Sequence, residues 1–255
     1  MGAVIGIGAA AKFARRWGFG LWVLAALPGN VGCKKLTSAL KPQPVMFNRP
    51  RVDAALGRML EKIQDDPKFK AVLAKGPEQA SGEKVDLAVT STGAYGELGA
   101  QLAAKGTARL SPGQFLEVMQ IKLKLADKSP KLCAGFWSGG ITTADLGEAL
   151  DGLNDADLNR WFELSAQATH LQLYATTPLP RFRGQVLVDG MRDIAATLTP
   201  AEAEVFMSTM KQGTSAAPTA GCEAFLKLSR GGLSFPDPRR DQFLRALAFD
   251  TLVDW

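Results

Sequence analysis

LSPGQFLEVMQIKLKLADKSPKLCAGF, residues 110–136, is the stretch whose reading decides the fold. It opens on Leu-Ser-Pro, and a serine followed by proline reads as a helix start. The Ser111 hydroxyl can accept from an orphan N–H of the first turn, and Pro112 stands where no N–H is needed. Gln114 falls at the third helical position and completes a capping-box pattern. Phe115, Leu116, Met119, Leu123 and Ala126 then recur at three- and four-residue spacing, the stripe of an amphipathic helix and not the alternation of a strand.

The same grammar returns in LTPAEAEVFMSTMKQGTSAAPTAGCEAF, residues 198–225. Thr199, Pro200 and Glu202 repeat the start, and Ala203, Phe206, Met207 and Met210 repeat the stripe. In both stretches a Met falls nine residues after the Leu, a Cys follows that Met by fourteen or fifteen, and a Phe lies three beyond the Cys. Double glycines come later, at Gly139-Gly140 and Gly231-Gly232. The correspondence predicts an internal duplication of units 110–140 and 198–232.

Working outward, helical spacing recurs. Val52, Ala55, Leu56, Met59, Leu60 and Ile63 stand in register, and Pro67 opens another turn through Phe69, Val72 and Leu73. Residues 94–105 read as a helix stopped by Gly106. Residues 142–175 read as a short helix, a turn at Gly152-Leu153-Asn154 and a longer helix packing through Leu158, Trp161, Phe162 and Ser165. QVLVDGMRDIAATL and the C-terminal stretch with Phe243, Leu244, Leu247 and Ala248 add two more. VDLAVTSTG, residues 85–93, alternates weakly but has no evident partner strand. The expectation is an all-α fold of eight or nine helices, in a bundle or repeat-like array, forming one globular domain over residues 51–255. A Pro-rich tether, residues 34–50, precedes it.

The N-terminus carries an address. Lys12, Arg15 and Arg16 precede an apolar run from Trp17 to Leu27, and small residues with a Pro-Gly breaker follow in WVLAALPGNVGCKK, residues 22–35. The run is too short for a membrane-spanning helix, which needs about 20 residues, but suits a signal-peptide core. Val31, Gly32 and Cys33 resemble the end of a bacterial lipoprotein signal, which implies lipidation at Cys33. Asn30 departs from that pattern, where an aliphatic residue is usual. Lys34 lacks the aspartate of inner-membrane retention, and the resemblance therefore implies the outer membrane. Residues 1–33 are read as a signal peptide or lipoprotein leader, against an uncleaved anchor helix or a buried amphipathic helix. The leader supplies +3 of the net charge of +5, so the rest of the chain is close to neutral and nucleic acid is excluded as a partner.

Export makes Cys133 and Cys222, at matching places in the proposed repeat, candidates for one disulfide. Closing that loop contributes about 4 kcal/mol in the chain-entropy model. The alternative is two buried thiols in a reducing compartment. No Cys-x-x-Cys spacing exists and the chain has a single histidine, so no metal or other cofactor is expected.

No catalytic constellation emerges. His170 lies inside an amphipathic helix without a flanking glycine turn, and Ser138 in GFWSGG lacks nucleophile-elbow spacing, its glycines reading instead as a relaxed turn beside the disulfide. The acids Asp145, Glu148, Asp151, Asp155 and Asp157 fail the calcium-loop pattern and suit the capping of a helix N-terminus. These features point to an exported, membrane-tethered cell-envelope protein on the periplasmic side that binds a protein partner, as a scaffold or as an immunity or inhibitor protein against a toxin. The competing class is an envelope hydrolase using Asp151, Asp155 or Glu163.

Overall fold

A computed structural model describes residues 47–75, 102–179 and 182–249. The leader with Cys33, the tether as far as residue 46, the stretch 85–93 and residues 250–255 lie outside the described residues. The chain is all-α, with no strand among the described residues. The helices are α1 (Pro50–Gln64), α2 (Pro67–Lys75), α3 (Pro112–Lys128), α4 (Pro130–Ser138), α5 (Thr143–Asp151), α6 (Asp155–Leu173), α7 (Gly184–Ala196), α8 (Pro200–Gln212), the 3-10 turn η1 (Gly213–Ser215), α9 (Pro218–Ser234) and α10 (Arg239–Phe249). Residues 102–107 are helical as well.

These helices group into two compact units whose chain segments interleave. One, here the arginine unit, holds α1, α2, residues 102–111, α5 and α6; the other, the cysteine unit, holds α3, α4 and α7 to α10.

In the arginine unit α1 buries Val52, Ala55, Leu56, Met59 and Ile63 against α6, as their spacing predicts. The chain enters through Phe47, which is buried, and the Asp53 carboxylate accepts from the Phe47 and Arg49 amides at 2.9 and 3.0 Å. The last residues of the Pro-rich stretch are thereby pinned to α1. Asn154 caps α6, its side chain accepting from the Asp157 amide at 2.8 Å. Leu158, Trp161, Phe162 and Ser165 all face inward. Buried Ser165 and Thr169 satisfy their hydroxyls on carbonyls one turn back, Trp161 O at 2.7 Å and Ser165 O at 3.0 Å.

Gly106 does not stop its helix. Residues 106 and 107 remain helical, and a Cβ built on Gly106 would stand 1.7 Å from the Ala168 carbonyl oxygen of α6. The glycine is there to let two backbones touch.

In the cysteine unit α3 begins at Pro112, but its buried face is Phe115, Val118, Met119, Ile121, Lys122, Leu125 and Ala126. Leu116 and Leu123, expected on that face, are only half-buried. Lys122 lies at the centre of that face. Burial pushes the Lys122 amine down to about 7, because the protein interior penalises its charge. Helix α8 carries the full capping box, with Thr199 and Glu202 each bonded to the other's backbone. That exchange, Thr199 first and Lys227 after it, holds the Glu202 carboxyl below its ordinary range.

Among the described residues the helices already outnumber the expected eight or nine, because α4 and α9, the two cysteine-bearing segments, are helices in full. Their glycines and prolines argue against helix on propensity alone, yet tertiary packing overrides it. Trp137 of α4 lies flat on Gly221 of α9, where an added Cβ would stand 2.2 Å from the indole Cδ1, and its Nε1 donates to Gly213 O at 2.9 Å. Phe136 and Phe225 stack obliquely at 5.4 Å. Gly135 is helical rather than part of a relaxed turn, and Gly139, at φ 79°, ends α4 in the left-handed region. Gly231 and Gly232, by contrast, lie inside α9, so the double glycines of the proposed repeat serve different ends. Gly232 and Gly190 of α7 make room for the buried Phe243 ring of α10.

Candidate functional site

Cys133 and Cys222 stand at disulfide-bonding distance, Sγ–Sγ 2.02 Å and Cα–Cα 5.1 Å. Cys133 occupies the first turn of α4 and Cys222 the second turn of α9, held there by the Trp137–Gly221 contact. The chain leaves the cysteine unit after Thr142 and is back in it by α7, so the pair joins segments on either side of that excursion. Cys33 lies outside the described residues.

Four of the acids singled out from the sequence, Asp151, Asp155, Asp157 and Glu163, are held by cations or amides. Arg51 reaches Asp155 Oδ1 at 2.6 Å and Asp151 Oδ1 at 3.4 Å, and also donates to the carbonyls of Asp151 and Leu153. It ties the end of α5 to the start of α6, and its guanidinium pKa is raised, chiefly by the Asp155 bond. Asp157 completes the Asn154 cap, while Glu148 is exposed. Glu163 pairs with Lys62 at 3.7 Å and Arg160 at 3.5 Å. No group of three or more metal-ligating side chains occurs among the described residues.

His170 is an exposed histidine near the end of α6, stacked on Tyr174 at 4.5 Å with its Nε2 3.8 Å from Asp66 Oδ2. Asp66 caps α2 through the Lys68 and Phe69 amides at 2.8 and 3.1 Å and accepts from the Tyr174 hydroxyl at 3.2 Å. Desolvation raises the Asp66 carboxyl, but the two amides, the Tyr174 hydroxyl and the His170 charge outweigh it and leave it below its ordinary range. Ser138 is exposed at the end of α4, its Oγ 3.4 Å from the Gly140 amide.

A groove that sequence reasoning did not find runs between α1 and α6. Helix α1 contributes Ala55, Arg58, Met59 and Lys62 at helical spacing, and α6 contributes Asn159, Phe162 and Glu163. Ala55, Met59 and Phe162 make a buried apolar floor, and the four polar residues make the rim. The groove is open to solvent and encloses about 250 Å³. Arg58 donates to the Asn159 amide oxygen at 2.7 Å across one end, and the Lys62–Glu163 pair spans the other. The signal that could have found it is the placement of these polar residues one step from each apolar stripe. That pattern is legible only once α1 and α6 are known to be neighbours. A smaller hollow of about 90 Å³ in the cysteine unit, between Pro112–Leu116 and Asp237–Leu244, has room for little more than water.

No protein-family model matches the chain, and comparison with curated proteins and with solved structures yields no match.

Proposed function

We propose that this chain is an exported, membrane-tethered helical protein of the bacterial cell envelope that acts by binding a protein partner. The observation that carries the reading is the Cys133–Cys222 pair at bonding distance, since structural disulfides persist in oxidising compartments. It joins the positive, apolar, small-residue layout of residues 1–33, which argues for export from the other end of the chain. The α1–α6 groove, with polar residues set around buried Ala55, Met59 and Phe162, lends support to the partner-binding reading. The hydrolase alternative gains no specific support, because Asp151, Asp155 and Glu163 are each engaged by a cation.

Mass spectrometry of protein taken from its native envelope without reductant tests the address. The expected result is a mature chain beginning at an acylated Cys33 together with a Cys133–Cys222 peptide pair. An unmodified chain with three free thiols would overturn it.

A further inference from the structure

We infer that Cys222 is the sulfur through which a disulfide donor installs the Cys133–Cys222 bond, on helices α4 and α9 that are already packed; the inference rests on the export reading above, since such donors belong to oxidising compartments. The two cysteines differ in access. Cys133 is wholly buried, and Phe136 and Trp137, one turn further along α4, are buried with it. Cys222 is half-buried, and Pro218 and Thr219, one turn before it on α9, are exposed. A helical side chain leans over the turn N-terminal to its own Cα, which for Cys222 is this exposed turn.

The register of the two helices does not need the bond. Phe136 faces Phe225 at 5.4 Å with the same 89-residue offset as the cysteines, so α4 and α9 run parallel with matching positions opposed. Trp137 fills the space over Gly221 and donates to Gly213 O. These contacts hold Cys133 and Cys222 at a Cα separation of 5.1 Å, inside the range a disulfide spans.

The Cys222 thiolate attacks one sulfur of the donor disulfide, whose S–S bond breaks and whose other sulfur leaves as a thiolate. The Cys133 thiolate then attacks Cys222 Sγ, the mixed disulfide breaks, and the second donor sulfur leaves. Two electrons pass from the cysteine pair to the donor, and the two protons lost by the cysteines are balanced by those the donor's thiolates take up. The reverse order would require a donor to reach Cys133, which has no exposed surface.

Oxidised glutathione serves as the donor, added to the reduced full chain carrying Cys33→Ser so that only the pair can react. Acid quenching at early times and peptide mass mapping locate the first glutathione, and a melt followed by circular dichroism establishes that the reduced chain is folded. The first adduct is expected on Cys222 by about tenfold over Cys133, and is then lost as the bond closes. With Cys133→Ala the Cys222 adduct should persist. With Cys222→Ala, Cys133 should react about tenfold more slowly than Cys222 does in the companion variant, and the two should react alike once guanidinium unfolds the chains. A first adduct on Cys133, equal rates in the folded chain, or a reduced chain with no cooperative melt would overturn the inference. Mass spectrometry of the native chain keeps the two ideas apart. Free thiols there with Cys222 attacked first in vitro would sink the export reading and leave the order of attack standing. A native Cys133–Cys222 pair with Cys133 attacked first would sink the order and spare the export reading.

Discussion

Reduction of the Cys133–Cys222 link is the perturbation with the most to say, because it acts on stability and on address together. The two sulfurs close a separation of 89 residues, and the closed loop includes the whole of α5 and α6, which belong to the other unit. In the chain-entropy model a loop of that length removes enough freedom from the unfolded chain to contribute about 4 kcal/mol. Chains of this size shift in melting temperature by about 2–4 °C per kcal/mol, so the double variant Cys133→Ala/Cys222→Ala should melt roughly 8–16 °C lower. The contacts beneath the link, Trp137 on Gly221 and Phe136 against Phe225, remain in that variant, so it should still fold. The assay is thermal unfolding followed by circular dichroism, with wild type scanned in the presence and absence of reductant. Reductant should lower the wild-type midpoint toward that of the variant and leave the variant unchanged. A wild type whose disulfide is verified by mass, yet which melts at the same temperature as the double variant, would refute the loop argument.

Four further outcomes are expected. Gly221→Ala places a methyl within 2.2–2.6 Å of the Trp137 ring and should destabilise the cysteine unit by about 2 kcal/mol or more, read by denaturant melts. Ser229→Ala should stabilise by about 1 kcal/mol, because the Ser229 hydroxyl is buried without a hydrogen-bond partner among the described residues and alanine is the better helix former; an unchanged or lowered midpoint would count against it. Arg51→Ala should destabilise the arginine unit by about 1–2 kcal/mol, with Arg51→Lys recovering little, since one ammonium cannot serve two carboxylates and two carbonyls; faster amide exchange in α5 and at the start of α6 would report it. Lys122 gives the pH dependence. Its folded-state pKa of about 7 lies below the ordinary lysine value, so between those limits the unfolded chain binds the extra proton and stability rises with pH. The rise is on the order of a few kcal/mol, and Lys122→Met should flatten it in urea titrations at pH 7 and pH 9. On the acid side Asp66 and Glu202, both held below the ordinary carboxylate range, contribute stability that is lost as pH falls through their folded values.

Local rules made much of the helical layout legible. The Thr199–Pro200–Glu202 start, the turn at Gly152-Leu153-Asn154 and the stripes of α1, α6 and α10 are consequences of short-range chemistry: a hydroxyl near an orphan N–H, a proline where no donor is needed, apolar groups at one-turn spacing. The pairing of Cys133 with Cys222 was legible as well, because two cysteines at matching places leave few combinations.

What the sequence alone could not decide has a common physical origin in contacts between residues far apart in the chain. Gly106 reads as a helix stop until Ala168 is seen pressing on it, and Gly221 is needed because the Trp137 ring fills the space a side chain would take. Lys122 is buried only because the stripe on either side of it packs against the rest of its unit. Arg51 gains its partners only where α5 and α6 bring Asp151, Leu153 and Asp155 to its guanidinium. The groove belongs to the same class: Arg58 and Asn159 are separated by 101 residues, and only the packing of α1 on α6 makes them two walls of one site. The sequence by itself determined most of the helices, and the capped starts of α6 and α8, because those depend on neighbours within a turn or two. The tertiary structure decided which glycines are contacts, which charges are buried and where a ligand could sit, because each depends on a partner that sequence distance hides.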